Sequence, residues 1–150
     1  MSIDKESLKS IPTSFATCSI GYKDSHTLSK KLDAIHKAGF SAIELAFPDL
    51  VAFATLHLRH EVGETDYDDI CEAARVVKTM CDAKGLKVLM LQPFANFEAW
   101  PEKSSGRDDA WSRAKGWIKV MQACGTDMLQ VCLSQTLTSL PLACLALCRA

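Results

Sequence analysis

The side chains of this chain that could do chemistry gather in three places. The first is Glu44, inside the apolar run Ala42-Ile43-Glu44-Leu45-Ala46-Phe47. In an extended segment alternate side chains take opposite faces, so Glu44 points away from Ile43 and Leu45. A carboxylate in such a run is costly unless it is paired, ligated or beside a wet cleft. An ion pair with Lys87 on the next strand in sequence would satisfy it; so would a place in a binding site. The second is Gln92-Pro93-Phe94-Ala95-Asn96-Phe97-Glu98-Ala99-Trp100-Pro101, where two Phe and a Trp are interleaved with Gln, Asn and Glu. Apolar area with a few orienting polar groups is the make-up of a small-molecule pocket, although a loop held down by its own aromatics has the same composition. The third is His57-Leu58-Arg59-His60-Glu61. Two histidines three apart can share a helix face and a metal, but no third ligand accompanies them, and a solvated basic stretch is the simpler reading. No serine sits in a nucleophile elbow, and no paired-carboxylate or triad spacing stands out. No residue is identified as catalytic.

The elements that must position these groups follow from periodicity. Three segments carry apolar residues at helical spacing: Leu28, Leu32 and Ile35; Ile70, Ala73, Ala74, Val77 and Cys81; and Trp111, Ala114, Ile118 and Met121. Ser25 or Thr27 can cap the first, and the others are entered through Asp66-Tyr67-Asp68-Asp69 and Asp108-Asp109, whose charge suits the positive end of a helix. Each helix runs into a glycine (Gly39, Gly85, Gly125), and each glycine into a short apolar run: 42–47, 86–91 and 128–131. An earlier run, Phe15-Ala16-Thr17-Cys18-Ser19-Ile20, precedes the first helix. The alternation strand, helix, strand, helix, strand, helix, strand predicts a parallel sheet with helical crossovers, either an open doubly wound sheet or part of a (β/α) barrel. In both, ligands bind beyond the carboxyl ends of the strands. The first strand–helix junction, Gly21-Tyr22-Lys23-Asp24-Ser25, matches neither a dinucleotide fingerprint nor a P-loop.

Composition narrows the classes. At 150 residues, 48% apolar and 23% charged, the chain has the make-up of a single globular domain. Its net charge of −1 gives no basic excess for nucleic acid. Seven cysteines without a C-x-x-C pair argue against a disulfide framework or a zinc ribbon and for reduced thiols, hence a cytoplasmic setting. Cys71, Cys81 and Cys124 fall at helix-core positions and are expected to be buried and inert. The start of the chain has no secretory h-region. Past Cys132 the pattern breaks: Arg149 is the only charged residue from there to the end, and Pro141 interrupts the run. This uncharged tail is too short and too polar for a membrane span and is expected to pack or aggregate, with a helix through 140–147 as one form.

Lys31-Leu32-Asp33-Ala34-Ile35-His36-Lys37-Ala38-Gly39-Phe40 followed by Ile43-Glu44-Leu45 resembles the opening of the xylose isomerase-like sugar phosphate isomerase/epimerase superfamily of TIM barrels. Asp49-Leu50, Gly85-Leu86-Lys87-Val88, Gln92-Pro93-Phe94, Phe97-Glu98 and Met121-Gln122-Ala123-Cys124-Gly125-Thr126-Asp127 resemble its 3-dehydroshikimate dehydratase branch. The helix–glycine–strand piece is generic for barrels; Gln92-Pro93-Phe94 with Phe97-Glu98 is more specific. The resemblance implies an N-terminal extension over 1–13, the N-terminal half of a barrel (about four parallel βα units) over 14–131, and an atypical tail over 132–150. It implies a metal-dependent lyase or isomerase acting on a polyhydroxylated carbonyl compound, with Glu44, Gln92, Phe94, Phe97 and Glu98 as substrate-binding residues. The divalent metal of the family, Mg²⁺ or Mn²⁺, is held by ligands from the later strands, so the chain reads as truncated relative to the family, without metal ligands and inactive by itself. Family members carry a basic residue directly after Gln-Pro-Phe, where this chain has Ala95. The alternative is a non-catalytic half-barrel that self-associates, or binds a partner protein, through exposed sheet edges. Neither nucleic acid nor a membrane is an expected partner.

Overall fold

Ser14–Ala16 (β1), Ala42–Ala46 (β2), Lys87–Phe94 (β3) and Leu129–Val131 (β4) lie side by side, all parallel, in the order β1-β2-β3-β4. The computed structural model describes residues 11–98 and 100–132; the expectations for the extension ahead of Ile11 and for the tail beyond Cys132 lie outside them. Consecutive parallel strands need crossovers, and four helices supply them: Leu28–Lys37 (α1), Phe47–Leu58 (α2), Tyr67–Asp82 (α3) and Ser105–Cys124 (α4). Strand side chains Ile43, Leu45, Val88, Leu91 and Phe94 share one core with residues of all four helices. The helices therefore cover one face of the sheet, as in a segment of a TIM barrel rather than a doubly wound sheet.

Three helices form where the periodicity places them, and two of them bury the expected face. Leu28, Leu32 and Ile35 are buried on α1, and Ile70, Ala73, Ala74, Val77 and Cys81 on α3. On α4 the face is turned. Trp111 and Ile118, expected inside, are exposed, and Ala110, Gly116, Trp117, Val120 and Cys124 are buried. The reason is Trp117, whose ring stacks on Phe47 with centroids 4.2 Å apart and meets Phe94 edge-on at 5.2 Å. The helix closes at Gly125, in the left-handed region at φ 75°, where its N–H bonds back to Gln122 O and Met121 O.

Helix α2 was not expected. It begins directly after β2 with Pro48 in its first turn, where a missing N–H costs nothing. The N–H of Ala46 ahead of it donates to Thr17 Oγ1 at 3.0 Å, which ties the strand–helix junction to the segment after β1. Leu50, Phe53 and Ala54 are buried on it, and at about 1.5–3 kcal/mol per large apolar side chain this outweighs a run of modest helix formers. It ends not on a glycine but on Arg59 at φ 61°.

Candidate functional site

The register fixes which side chains share the helix-free face of the sheet. Ala16 stands opposite Glu44, Glu44 opposite Met90, and Ala46 opposite Gln92. With Ile43 and Leu45 in the helix-side core, the alternating residues Glu44 and Ala46 face the other way, and so do their partners Met90 and Gln92. Glu44 and Gln92 thus sit on one face toward the carboxyl ends of neighbouring strands, where barrel sites are built. Glu44 Oε1 accepts from Ser14 Oγ at 2.9 Å. The ion pair with Lys87, one of the two readings for Glu44, does not form, because the register sets Lys87 opposite Ala42. Gln92 is buried, and its Nε2 donates to Cys18 Sγ at 3.8 Å from the short 3-10 turn Thr17–Ser19 after β1.

Phe94 is two residues from Gln92 yet faces the helices. The pairing of β3 with β4 shifts register between Leu91 and Phe94, and the cis Gln92–Pro93 peptide lies within that shift. The core residues of β3, Val88, Leu91 and Phe94, are three apart rather than two, because the pairing with β2 shifts at Ile43/Glu44 and the pairing with β4 shifts between Leu91 and Phe94. Phe97 stacks on Phe94 with centroids 5.8 Å apart. Glu98 Oε2 accepts from the Phe97 N–H at 3.2 Å. The five candidate residues thus divide: Glu44 and Gln92 on the open face, Phe94 and Phe97 in an aromatic cluster on the helix side, Glu98 in the loop beside it.

That loop is fastened to α4. Arg113 donates to Ala95 O at 3.0 Å and Asn96 O, pairs with Asp109 at 2.8 Å, and lies over the Phe94 ring at 5.3 Å. Trp100 Nε1 also donates to Asn96 O, at 3.1 Å. A guanidinium therefore stands next to Ala95 although position 95 carries no charge. Sequence spacing gave no hint of Arg113, which reaches the loop from 17 and 18 residues away.

A second unforeseen group lies between the strand ends and the helices. Lys31, on α1, is buried, and its Nζ donates to Thr17 O at 3.1 Å and to Asp49 Oδ1 at 2.8 Å. Asp49 Oδ2 is buried without a hydrogen-bond partner among the described residues. The divalent metal implied by the resemblance finds no fit in these donors. Asp49 is bound to Lys31, Glu44 lies on the opposite face, and the described residues contain no group of three His, Cys, Asp or Glu that could hold an ion. The two histidines do not join in one either: His57 stacks on Phe53 and His60 Nε2 pairs with Asp69 at 2.8 Å. The helix thiols are buried as expected, and burial pushes Cys81 up to about 11 and Cys124 up to about 12.

The sequence profile of the xylose isomerase-like TIM barrel family matches residues 32–148. The chain belongs to this family. A 3-dehydroshikimate dehydratase of Neurospora crassa is 32% identical over 109 residues, covering 71% of this chain and 30% of that protein. A 3-dehydroshikimate dehydratase of Pseudomonas aeruginosa is 36% identical over 119 residues, covering 79% of this chain and 15% of its own length. A solved xylose isomerase-like TIM barrel/4-hydroxyphenylpyruvate dioxygenase fusion protein superposes with a TM-score of 0.60 at 30% identity, over 81% of this chain and 16% of that one. The chain thus spans less than a third of these relatives. Among the described residues no helix is long and apolar enough to cross a membrane.

Proposed function

We propose that this chain supplies part of the substrate wall of a 3-dehydroshikimate dehydratase-type site and does not complete the reaction by itself. The observation that carries the reading is the placement of Glu44 and Gln92 on the helix-free face at adjacent strand ends, in a chain 32–36% identical to two proteins of that name. Dehydration of a hydroxylated cyclic ketone removes a proton beside the carbonyl and expels a hydroxyl; it needs a base within hydrogen-bond reach and an electrophile at the oxygen. Glu44, already accepting from Ser14, has a second oxygen with which to take a substrate hydroxyl, and the Gln92 amide offers both a donor and an acceptor. Phe94 and Phe97, in the aromatic cluster on the helix side, stand apart from this face. Among the described residues no group of three His, Cys, Asp or Glu is placed to hold a divalent metal. The test is direct. The purified chain, with Mg²⁺ or Mn²⁺ added, is expected to form no protocatechuate from 3-dehydroshikimate above background. Product that disappears on Glu44→Ala would overturn the claim of inactivity.

A second reading has its own observation. Among the described residues β1 and β4 each pair with one strand only, and Met128 and Val131 beside that edge are exposed. Such edges template pairing, so the half-barrel would self-associate. Light scattering during size-exclusion chromatography distinguishes a monomer from a dimer at the same concentration.

A further inference from the structure

We propose that the cavity between the loop after β3 and the first half of α4 binds a small planar aromatic carboxylate. This site is separate from the open sheet face, and the inference does not depend on the reading above. The cavity measures about 300 Å³ and is lined by Phe94, Phe97, Trp100, Trp111 and Arg107. Ala110 and Ala114 complete the lining, small enough to leave room for a ring. Three of the four aromatic walls are substantially exposed: Phe97 at 41%, Trp100 at 36% and Trp111 at 60%. A contiguous set of exposed aromatics around a concavity marks a binding surface.

The walls are held in place before any ligand arrives. Trp100 is tied by its indole N–H to Asn96 O, and its ring lies so close to Gly106 that any side chain at 106 would collide with it. Phe97 rests on Phe94, and Phe94 on Trp117. Aromatic faces set this way favour a flat ring, which can stack or meet them edge-on.

Charge selects a carboxylate. Arg113 is committed to Asp109 and to two loop carbonyls, which leaves Arg107 as the cation for a ligand. Among the described residues the carboxylate beside Arg107 is Glu102, 3.7 Å away and highly exposed, too far for a hydrogen bond. Arg107 also lies in the first turn of α4, which Ser104 caps through the Arg107 N–H; there the helix dipole adds to the attraction for an anion. A guanidinium takes a carboxylate with two parallel hydrogen bonds, which an alcohol cannot accept.

The test uses the whole chain and benzoate as the probe, followed by tryptophan fluorescence and by the indole N–H signals of Trp100 and Trp111. Saturable quenching is expected, with both indole signals moving. Arg107→Gln, at a half-exposed position, should weaken benzoate by about tenfold, the loss of one charge-assisted contact. Benzyl alcohol should bind about tenfold more weakly than benzoate, and cyclohexanecarboxylate, with the charge but no flat ring, more weakly than benzoate as well. Non-saturating quenching, unmoved indole signals, benzoate affinity unchanged in Arg107→Gln, or equal binding of the alcohol would each overturn the proposal.

Discussion

Replacing Lys31 by Met isolates the energetics of the group beneath the strand ends. The methionine fills most of the same volume but leaves Thr17 O and Asp49 Oδ1 without their donor. Breaking a fully buried ion pair costs about 3–5 kcal/mol, because the surviving charge stays desolvated. Lys31 is 8% exposed but Asp49 22%, so water reaches part of the carboxylate, and about 2–3 kcal/mol is the expected loss. With a urea dependence of about 2 kcal/mol per molar, the unfolding midpoint should fall by about 1–1.5 M. The double variant Lys31→Met/Asp49→Leu removes the stranded charge together with its unpartnered oxygen and should recover about 1 kcal/mol or more over the single variant. Equilibrium urea denaturation followed by circular dichroism reads both numbers. A single variant that loses less than about 0.5 kcal/mol, or a double variant equal to the sum of its two singles, would refute a coupled buried pair.

Thiol reactivity should follow burial: at pH 8 iodoacetamide should label Cys18, which is exposed, well before Cys81 or Cys124, whose thiols are buried and raised; peptide mass spectrometry gives the order, and early labelling of Cys124 would contradict the packing of α4. The hydrogen bond that the His60 imidazole donates to the Asp69 carboxylate holds His60 above its ordinary value. A raised folded-state value means that the pair's stabilisation is present below about pH 6.5 and is lost as pH rises through the folded value; Asp69→Asn should lower the midpoint of His60 in an NMR titration, and an unchanged midpoint would show that the pair does not form in solution.

The repeating units of the fold were legible because each is a local pattern: an amphipathic stripe, a helix-stopping glycine, an apolar run. Helix α2 was hidden by its own composition. Phe-Pro-Asp-Leu-Val-Ala-Phe-Ala-Thr-Leu-His-Leu has almost no polar face, so the periodicity that reveals an amphipathic helix is missing, and its closing residue, Arg59, is not a glycine. The turned face of α4 has a related cause. Trp111 and Ile118 fit an apolar stripe, and only the aromatic partners of Trp117, on β3 and at the start of α2, decide against it. At the site, Glu44 was readable because a carboxylate in an apolar strand is anomalous by itself. The separation of Gln92 from Phe94 was not, since alternation puts residues two apart on the same face and the register shift that breaks the rule depends on β4. Lys31, Thr17 and Asp49 are ordinary residues in sequence, and their association exists only once α1, α2 and the turn after β1 converge.

The fastening of the loop after β3 bears on how this barrel segment can change. Its carbonyls at 95 and 96 are held by a side chain of the following helix, so the loop travels with α4 as one piece. A rigid wall of that kind favours a ligand whose shape already matches it and gives little reward to one that must be enclosed. Altering selectivity here would therefore proceed by exchanging wall residues such as Phe97 on a fixed frame. Lengthening the loop would first have to release Arg113, and with it the ring of Phe94 on which the neighbouring core rests.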